Sequence, residues 1–115
     1  MNFSSVSASQ LNGSSSSDFN AANFGIVKMD HSGNVTDYNE NQAKHTGMPK
    51  ASVMGKHFFT QVAPCTNNFM VAQKYENGST IDEKLPYTFT LKMAPTPVNL
   101  RLIKDNTAQY LLCDW

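Results

Sequence analysis

A run of alternating apolar residues near the end of the chain constrains its fold more than any other feature. Every second position of this run is apolar, namely Leu85, Tyr87, Phe89, Leu91 and Met93. Because successive side chains of a β-strand point to opposite faces, the spacing predicts a strand with one face in a core and the other in water. Pro86 has no backbone N–H to donate, so we expect it at a sheet edge or at the start of a strand.

Four further strands are predicted from shorter apolar runs. Residues 24–29 and Val35–Tyr38 flank a turn whose Gly33 and Asn34 favour the positive backbone angles of a hairpin. Two more runs follow the alternating strand, at residues 98–102 and 110–113. The first two strands therefore form a hairpin, and the last three follow one another along the chain.

Three helical segments are predicted between the second and third strands. The first, residues 39–46, ends at Gly47, and Pro49 opens a short second one. The third is capped within residues 66–68. Its apolar positions are Phe69, Ala72 and Tyr75. Five antiparallel strands with helices packed on one face around a small pocket make an α+β domain.

Serine dominates the start of the chain. Eight of the first 17 residues are serine, and such a stretch gains too little from burial to offset the ordering of its backbone. We therefore predict that residues 1–18 are a flexible leader, docked at most through Phe3, Leu11 or Phe19. Residues 19–115 form a single domain, because 115 residues suffice for one and are too few for two.

Composition and charge exclude several classes of function. Nine Lys and Arg residues balance nine Asp and Glu residues, and the cations are too scattered to displace counterions from a nucleic acid. No apolar run reaches the roughly 18 residues that a membrane-spanning helix needs. Residues 1–17 have neither a cation nor an apolar stretch, unlike a signal peptide. We therefore expect a cytoplasmic monomer in which Cys65 and Cys113 remain free thiols.

Two local patterns could carry chemistry, whereas a metal site is not predicted. His31, His45 and His57 lack ligand spacing relative to one another or to the cysteines. The first pattern is a polar stripe in which each residue is four positions from the next: Tyr38, Gln42 and Thr46. By spacing alone, a solvent-facing side of a helix is the simpler interpretation of this stripe.

The second pattern places a thiol directly before a predicted helix start, in Ala63-Pro64-Cys65-Thr66-Asn67. Unpaired N–H groups at a helix start stabilise a thiolate, so Cys65 is a candidate site of acylation. Two other interpretations remain open. Cys65 could be an inert, small apolar residue, or the nucleophile of a thiol enzyme with His45 or His57 as its base.

Both patterns belong to a longer set of residues with a recognisable arrangement. The set comprises Phe24-Gly25, Asp30, Gly33-Asn34, Tyr38-Asn39, Thr46-Gly47, Gly55-Lys56, Phe58-Phe59, Val62-Ala63-Pro64-Cys65-Thr66, Tyr87-Thr88-Phe89, and Met93 with Pro95. This set resembles the corresponding residues of the photoactive yellow protein family, whose members are blue-light sensors of the PAS fold. The resemblance is close over residues 24–98 and looser over the last strands.

The resemblance implies a cofactor and a binding site. In that family 4-hydroxycinnamic acid (p-coumaric acid) is held as a thioester on the cysteine that matches Cys65. Its phenolate accepts hydrogen bonds from a tyrosine and a carboxylic acid, and a threonine supports the tyrosine. Tyr38 and Thr46 match the tyrosine and the threonine, and Gln42 stands at the position of the acid. The implied pocket consists of Val27, Met48, Phe58, Val62, Ala63, Pro64, Thr66, Phe89, Leu91 and Met93.

This sequence departs from the family at several of these positions. Gln42 replaces the usual glutamate, Met48 replaces an arginine that covers the chromophore, and Leu91 replaces a tyrosine at the pocket edge. The serine-rich leader replaces a more acidic, ordered N-terminal segment. Met93 is retained, and it matches a methionine that assists dark recovery.

The resemblance therefore implies a light sensor and not an enzyme. Light isomerises the chromophore, the domain partly unfolds, and a separate signalling protein receives the signal. Two alternatives come from other classes: a chromophore-free PAS module for protein interaction, and a thiol enzyme that uses Cys65 with His57.

Overall fold

The protein is described by a computed structural model that covers residues 1–90 and 95–115. Leu91 and Met93, predicted to line the pocket, lie outside the described residues. The strands are β1 Gly25–Met29, β2 Val35–Tyr38, β3 Ile81–Phe89, β4 Thr96–Lys104 and β5 Gln109–Asp114. The α-helices are α1 Ala8–Asn12, α2 Ser16–Asn20, α3 Glu40–Thr46, α4 Lys50–Val53 and α5 Ala72–Glu76. Within the described ranges, no helix is long and apolar enough to cross a membrane.

The five strands form one antiparallel sheet in the order β2-β1-β5-β4-β3. This confirms the predicted α+β class, with helices between the second and third strands. β3 lies at an edge of the sheet, as the missing N–H of Pro86 indicated. The strand begins earlier than predicted, at Ile81, because Arg101 on β4 donates two hydrogen bonds of 2.8 Å to the Asp82 carboxylate.

Helix α3 begins and ends where the sequence predicts. Asn39 is its N-cap and accepts a hydrogen bond from the Gln42 backbone N–H. Gly47 follows the last residue with a φ of 74°, in the left-handed region where a glycine carries no penalty. The helix therefore has a fixed length and a fixed register against the sheet.

The predicted start of the third helix is wrong. The chain forms a π-helical turn at Phe58–Val62 and a 3₁₀ turn at Pro64–Thr66, and α5 begins only at Ala72. Thr66 does not cap a helix, because its hydroxyl donates backwards to the Ala63 carbonyl at 2.7 Å. Phe69, which was placed on the apolar helix face, is 72% exposed.

The serine-rich leader contains two short helices in the structure, and its flexibility stays a prediction. Ser7 and Ser15 each form a capping box, with Gln10 and Asp18 respectively, so the serines start the short helices α1 and α2. The apolar residues between the serines are buried, namely Val6, Leu11 and Phe19. Val6 and Leu11 belong to the core between the leader and the sheet, and Phe3 and Ala8 pack against it, whereas Met1 is exposed. The proposed boundary at residue 18 stays a prediction.

The sheet separates two apolar cores. One lies beneath the leader and includes Leu11, Phe19, Ile26, Tyr110 and Leu112. The other lies beneath the helices on the opposite face and includes Val27, Phe58, Phe89, Leu111 and Cys113. Neighbouring residues of β1 and β5 thus alternate between the two cores, as the period of a strand requires.

If the leader is packed in solution, Leu11→Ala should lower the free energy of unfolding by about 2 kcal/mol, because it leaves a cavity in the core under α1. Urea unfolding followed by circular dichroism measures this. Ser9→Ala on the exposed side of the same helix is the control and should change stability by less than about 0.5 kcal/mol. Equal stability of wild type and Leu11→Ala would instead support a flexible leader.

Candidate functional site

An open cavity of about 600 Å³ lies on the helix side of the sheet. Its lining residues come from the end of α3, the turns after α4 and the end of β3: Thr46, Met48, Val62, Pro64, Cys65 and Thr90. All but Thr90 were predicted site residues. The volume is within the range of about 300–1,000 Å³ that is usual for small-ligand sites.

Among the described residues, four other predicted pocket residues lie in the core that forms the cavity wall. Val27, Phe58, Ala63 and Phe89 are buried in this core, and the partly buried Met48 and Cys65 pack against it. Thr66 is completely buried, and its hydroxyl is used within its own turn. The cavity therefore has apolar walls, with a thiol at one point of its lining and a hydroxyl, that of Thr46, at another.

The polar stripe is buried and does not face solvent. Tyr38 ends β2, whereas Gln42 and Thr46 lie on α3, and all three side chains belong to the buried interior. The Tyr38 and Thr46 hydroxyl oxygens are 2.8 Å apart, and the Thr46 hydroxyl donates to the Gln42 backbone carbonyl at 2.9 Å. Because that donation uses the only proton of Thr46, the Tyr38 hydroxyl is the donor between the two.

Burial dominates the acidity of the groups around Gln42. It raises the pKa of Tyr38 to about 12, although hydrogen bonding with Thr46 and with the Gln42 side chain opposes the shift. Burial likewise raises the pKa of the Cys113 thiol, again opposed by a hydrogen bond from Gln42. Tyr38 and Cys113 therefore stay protonated at neutral pH.

Cys113 was not a predicted site residue. It follows Leu111 by two positions on β5 and therefore faces the same core. The sequence carried this signal, since the apolar run at the end of the chain alternates between two faces of a central strand. What it lacked was the position of β5 beside β1, which brings Cys113 next to Gln42.

Cys65 lies in the 3₁₀ turn, partly exposed and with a free thiol. Its backbone carbonyl accepts hydrogen bonds from the Tyr87 hydroxyl at 2.6 Å and from the Asn68 side chain at 3.3 Å. The predicted helix start behind Cys65 is absent, since α5 begins at Ala72. The turn is instead fixed by Tyr87 and Asn68, which sequence reasoning missed as supports of this residue.

The arrangement required by a thiol enzyme is not formed. His45 bonds the Asn41 carbonyl through Nδ1 at 2.9 Å, and His57 bonds the Thr60 hydroxyl through Nδ1 at 2.9 Å. Over residues 1–90 and 95–115, no histidine hydrogen-bonds to the Cys65 thiol. Among the described residues, Cys65 therefore has no histidine oriented as its base.

Comparison with known proteins gives one consistent family. The chain is 34% identical to photoactive yellow protein from Halochromatium salexigens over 93 residues, 78% of this chain and 74% of that protein. It is 29% identical to photoactive yellow protein from Rhodothalassium salexigens over 82 residues, 69% of this chain and 66% of that protein. No protein-family model matches the chain.

Solved structures agree in fold. The photoactive yellow protein domain of the sensor histidine kinase Ppr from Rhodospirillum centenum superposes with a TM-score of 0.86 at 27% identity. This match covers 93% of the present chain and 98% of that domain. The PAS domain of an HTR-like protein from Haloarcula marismortui, 12% identical, superposes with a TM-score of 0.63 over 85% of this chain and 90% of that one. The predicted PAS fold is therefore confirmed.

The buried phenols predict a loss of stability at alkaline pH. The pKa of Tyr38 and that of Tyr110 are each raised to about 12, and the pKa of the fully buried Tyr75 is also raised, in each case chiefly by burial. An unfolded tyrosine ionises near its ordinary value of 10.0. The three buried tyrosines therefore contribute fully to the free energy of unfolding below pH 10, and this contribution is lost as the pH rises from 10 to 12.

Urea unfolding at fixed pH values between 7 and about 12 tests this expectation. The free energy of unfolding should fall above pH 10, and less steeply in Tyr38→Phe, which has one such phenol fewer. A free energy that does not change between pH 9 and about 12 would contradict the raised pKa values.

Proposed function

The chain belongs to the photoactive yellow protein family of PAS-fold photoreceptors, and we propose that it is a blue-light receptor with a 4-hydroxycinnamoyl group on Cys65. The observation that carries this proposal is the joint presence of a free thiol and a buried hydroxyl pair beside one apolar-walled cavity. The bound group supplies the absorption of light and a double bond that isomerises.

The residues fit such a group in chemistry and in size. An aromatic acyl group needs a nucleophile for its carbonyl carbon, apolar contact for its ring and donors for its phenolate. Cys65 offers the nucleophile, and the core around Phe58 and Phe89 offers the apolar contact. Tyr38, which is hydrogen-bonded to the cavity-lining Thr46, and the Gln42 amide offer the donors.

Cys65 would take up the acyl group from an activated donor, such as a thioester of 4-hydroxycinnamic acid. Its sulfur forms the new bond to the carbonyl carbon, and the thiol of the donor leaves with the proton that Cys65 loses. Tyr87 and Asn68 hold the Cys65 carbonyl, so the turn does not need to move.

The hydroxyl protons must rearrange to hold a phenolate. In the present geometry the Tyr38 hydroxyl donates to the Thr46 hydroxyl, and Thr46 donates to the backbone carbonyl of Gln42. When Tyr38 donates to the phenolate, the Thr46 hydroxyl turns to Tyr38 and keeps that oxygen satisfied. We therefore assign Thr46 the role of the support that lets Tyr38 change its acceptor.

Two departures from the family act at this site. Gln42 donates an N–H but has no proton to release, so it holds a phenolate without ever becoming a buried anion. Met48 borders the cavity with an uncharged, flexible side chain where an arginine is usual. We expect both changes to alter colour and photocycle rather than attachment.

The first test is attachment of the chromophore. Intact-mass measurement after reconstitution with activated 4-hydroxycinnamic acid should show one adduct and a yellow protein. The adduct should be lost in Cys65→Ser and kept in Cys113→Ser, because Cys113 is completely buried with a raised pKa. A wild-type chain that folds but forms no adduct would favour the chromophore-free interaction module.

The second test concerns Gln42 and uses Gln42→Glu. A carboxylic O–H is a stronger donor than an amide N–H, so it localises more charge on the phenolate oxygen and raises the excitation energy. We expect a blue shift of the absorption maximum, measured by steady-state spectroscopy. Time-resolved infrared should also show a light-dependent loss of a protonated carboxyl band.

The matched control for this substitution is Glu40→Gln, at the exposed start of the same helix. It should leave the absorption maximum unchanged. A red shift or no shift in Gln42→Glu would mean that Gln42 does not contact the phenolate.

A further inference from the structure

Two buried polar atoms without hydrogen-bond partners lie beside Gly25. They are the carbonyl oxygen Oε1 of Gln42 and the indole nitrogen Nε1 of Trp115, and neither has a hydrogen-bond partner among the described residues. One is only an acceptor and the other only a donor. Buried polar groups without partners are costly, so a complementary pair in one place requires an explanation.

Gly25 is what allows the two atoms to come together. A Cβ at this position would overlap Gln42 Oε1 and would lie 3.1 Å from Trp115 Nε1. Both atoms therefore occupy the space beside the Gly25 backbone that any other residue would fill. The terminal torsion of a glutamine side chain is soft, so the amide can rotate to bring Oε1 towards the indole N–H.

The indole is held in place by rings on two sides. It stacks on His45 with ring centroids 5.1 Å apart and an interplanar angle of 8°, and it packs against Phe89 at 5.3 Å. His45 lies on α3, close to Gln42, and Phe89 ends β3. Trp115 is therefore oriented by the same elements that form the cavity wall.

We propose that Trp115 is a positioning residue, whose indole N–H donates to Gln42 Oε1 and thereby directs the Gln42 amide N–H towards Tyr38 and the chromophore phenolate. The proposal rests on the proposed function and deepens it. Because the indole has no acceptor, it can pair only with the carbonyl side of the amide. An amide turned the other way would face the indole with its own donors and the phenolate with a lone pair.

The need for such a residue follows from the glutamine itself. The two ends of an amide are nearly equal in shape and opposite in hydrogen bonding, so packing alone does not select its orientation. Oε1 is the end of the amide that has no partner, so the Nε2 end is the one available to donate towards Tyr38 and Cys113, whose raised pKa values Gln42 opposes. Trp115, beside Oε1, selects the orientation of the Gln42 amide.

The test on the reconstituted protein is Trp115→Phe, which keeps an aromatic ring against His45 and Phe89 and removes the N–H. Acid titration of the visible band measures the pKa of the chromophore phenol. We expect it to rise by about one unit, a tenfold gain in proton affinity, because the phenolate loses an oriented donor. An unchanged value would overturn the proposal.

A double-mutant cycle separates positioning from packing. In the Gln42→Leu background there is no amide to orient, so Trp115→Phe should no longer change the chromophore pKa. A change of the same size in both backgrounds would show that Trp115 acts through packing alone, and would overturn the proposal.

A chromophore-free measurement keeps the proposal independent of the proposed function. Trp115 is the only tryptophan of the chain, so it gives one indole N–H resonance in a ¹⁵N-labelled sample. We expect slow hydrogen exchange of this proton in the wild type and faster exchange in Gln42→Leu and in Gly25→Ala, whose Cβ displaces Oε1. Equal exchange in all three would refute the pairing, whereas a missing Cys65 adduct would refute only the chromophore.

Discussion

The side chain of Asn39 joins the parts of the molecule on which the site depends. Its Oδ1 accepts from the backbone N–H groups of Ile26 at 2.9 Å and Gln42 at 3.1 Å. Its Nδ2 donates to the carbonyls of Phe19 at 2.8 Å and Phe24 at 2.9 Å. One buried amide thus fixes the start of α3 against β1 and against the leader. The position of Gln42 beside Gly25 follows from this start.

A sheet with apolar residues on both faces imposes the rest of the architecture. Tyr110 and Leu112 of β5 face one core, and Leu111 and Cys113 face the other, so neither face can be left in water. The leader covers one face with short helices. The segment between β2 and β3 covers the other, and its irregular turns leave the cavity beside Cys65. The leader therefore only covers its face of the sheet, whereas the segment between β2 and β3 both covers the other face and forms the cavity.

The sequence predicted those elements whose signals are local. The hairpin with Gly33 and the helix that ends at Gly47 follow from the access of glycine to positive φ, and the edge position of β3 follows from the missing N–H of Pro86. The third helix could not be placed, because the Asn68 side chain bonds Tyr87, a distant residue, and accepts from the Val71 N–H. In the sequence alone, an asparagine that caps a helix cannot be distinguished from one, such as Asn68, that holds a turn through a distant partner.

Burial was the other limit of sequence reasoning. The spacing of the stripe grouped Tyr38 with Thr46, but the direction it faces depends on which side of α3 meets β1. The leader was predicted to be flexible because its apolar residues are few, although two of them, Val6 and Leu11, are buried. Trp115 and Cys113 reach the site only through the pairing of β5 with β1 and β4.

The chemistry around Gln42 also constrains how a light signal could arise, if the proposed function holds. Tyr38 is a poor proton source, because burial raises its pKa to about 12, and Gln42 has no proton to give. A proton taken up after illumination must then come from solvent, and the open cavity beside Met48 and Thr90 is the route that the structure offers. No buried carboxylate forms on this route, so the conformational change would be driven by rupture of the hydrogen bonds from Tyr38 and Gln42 rather than by a new internal charge.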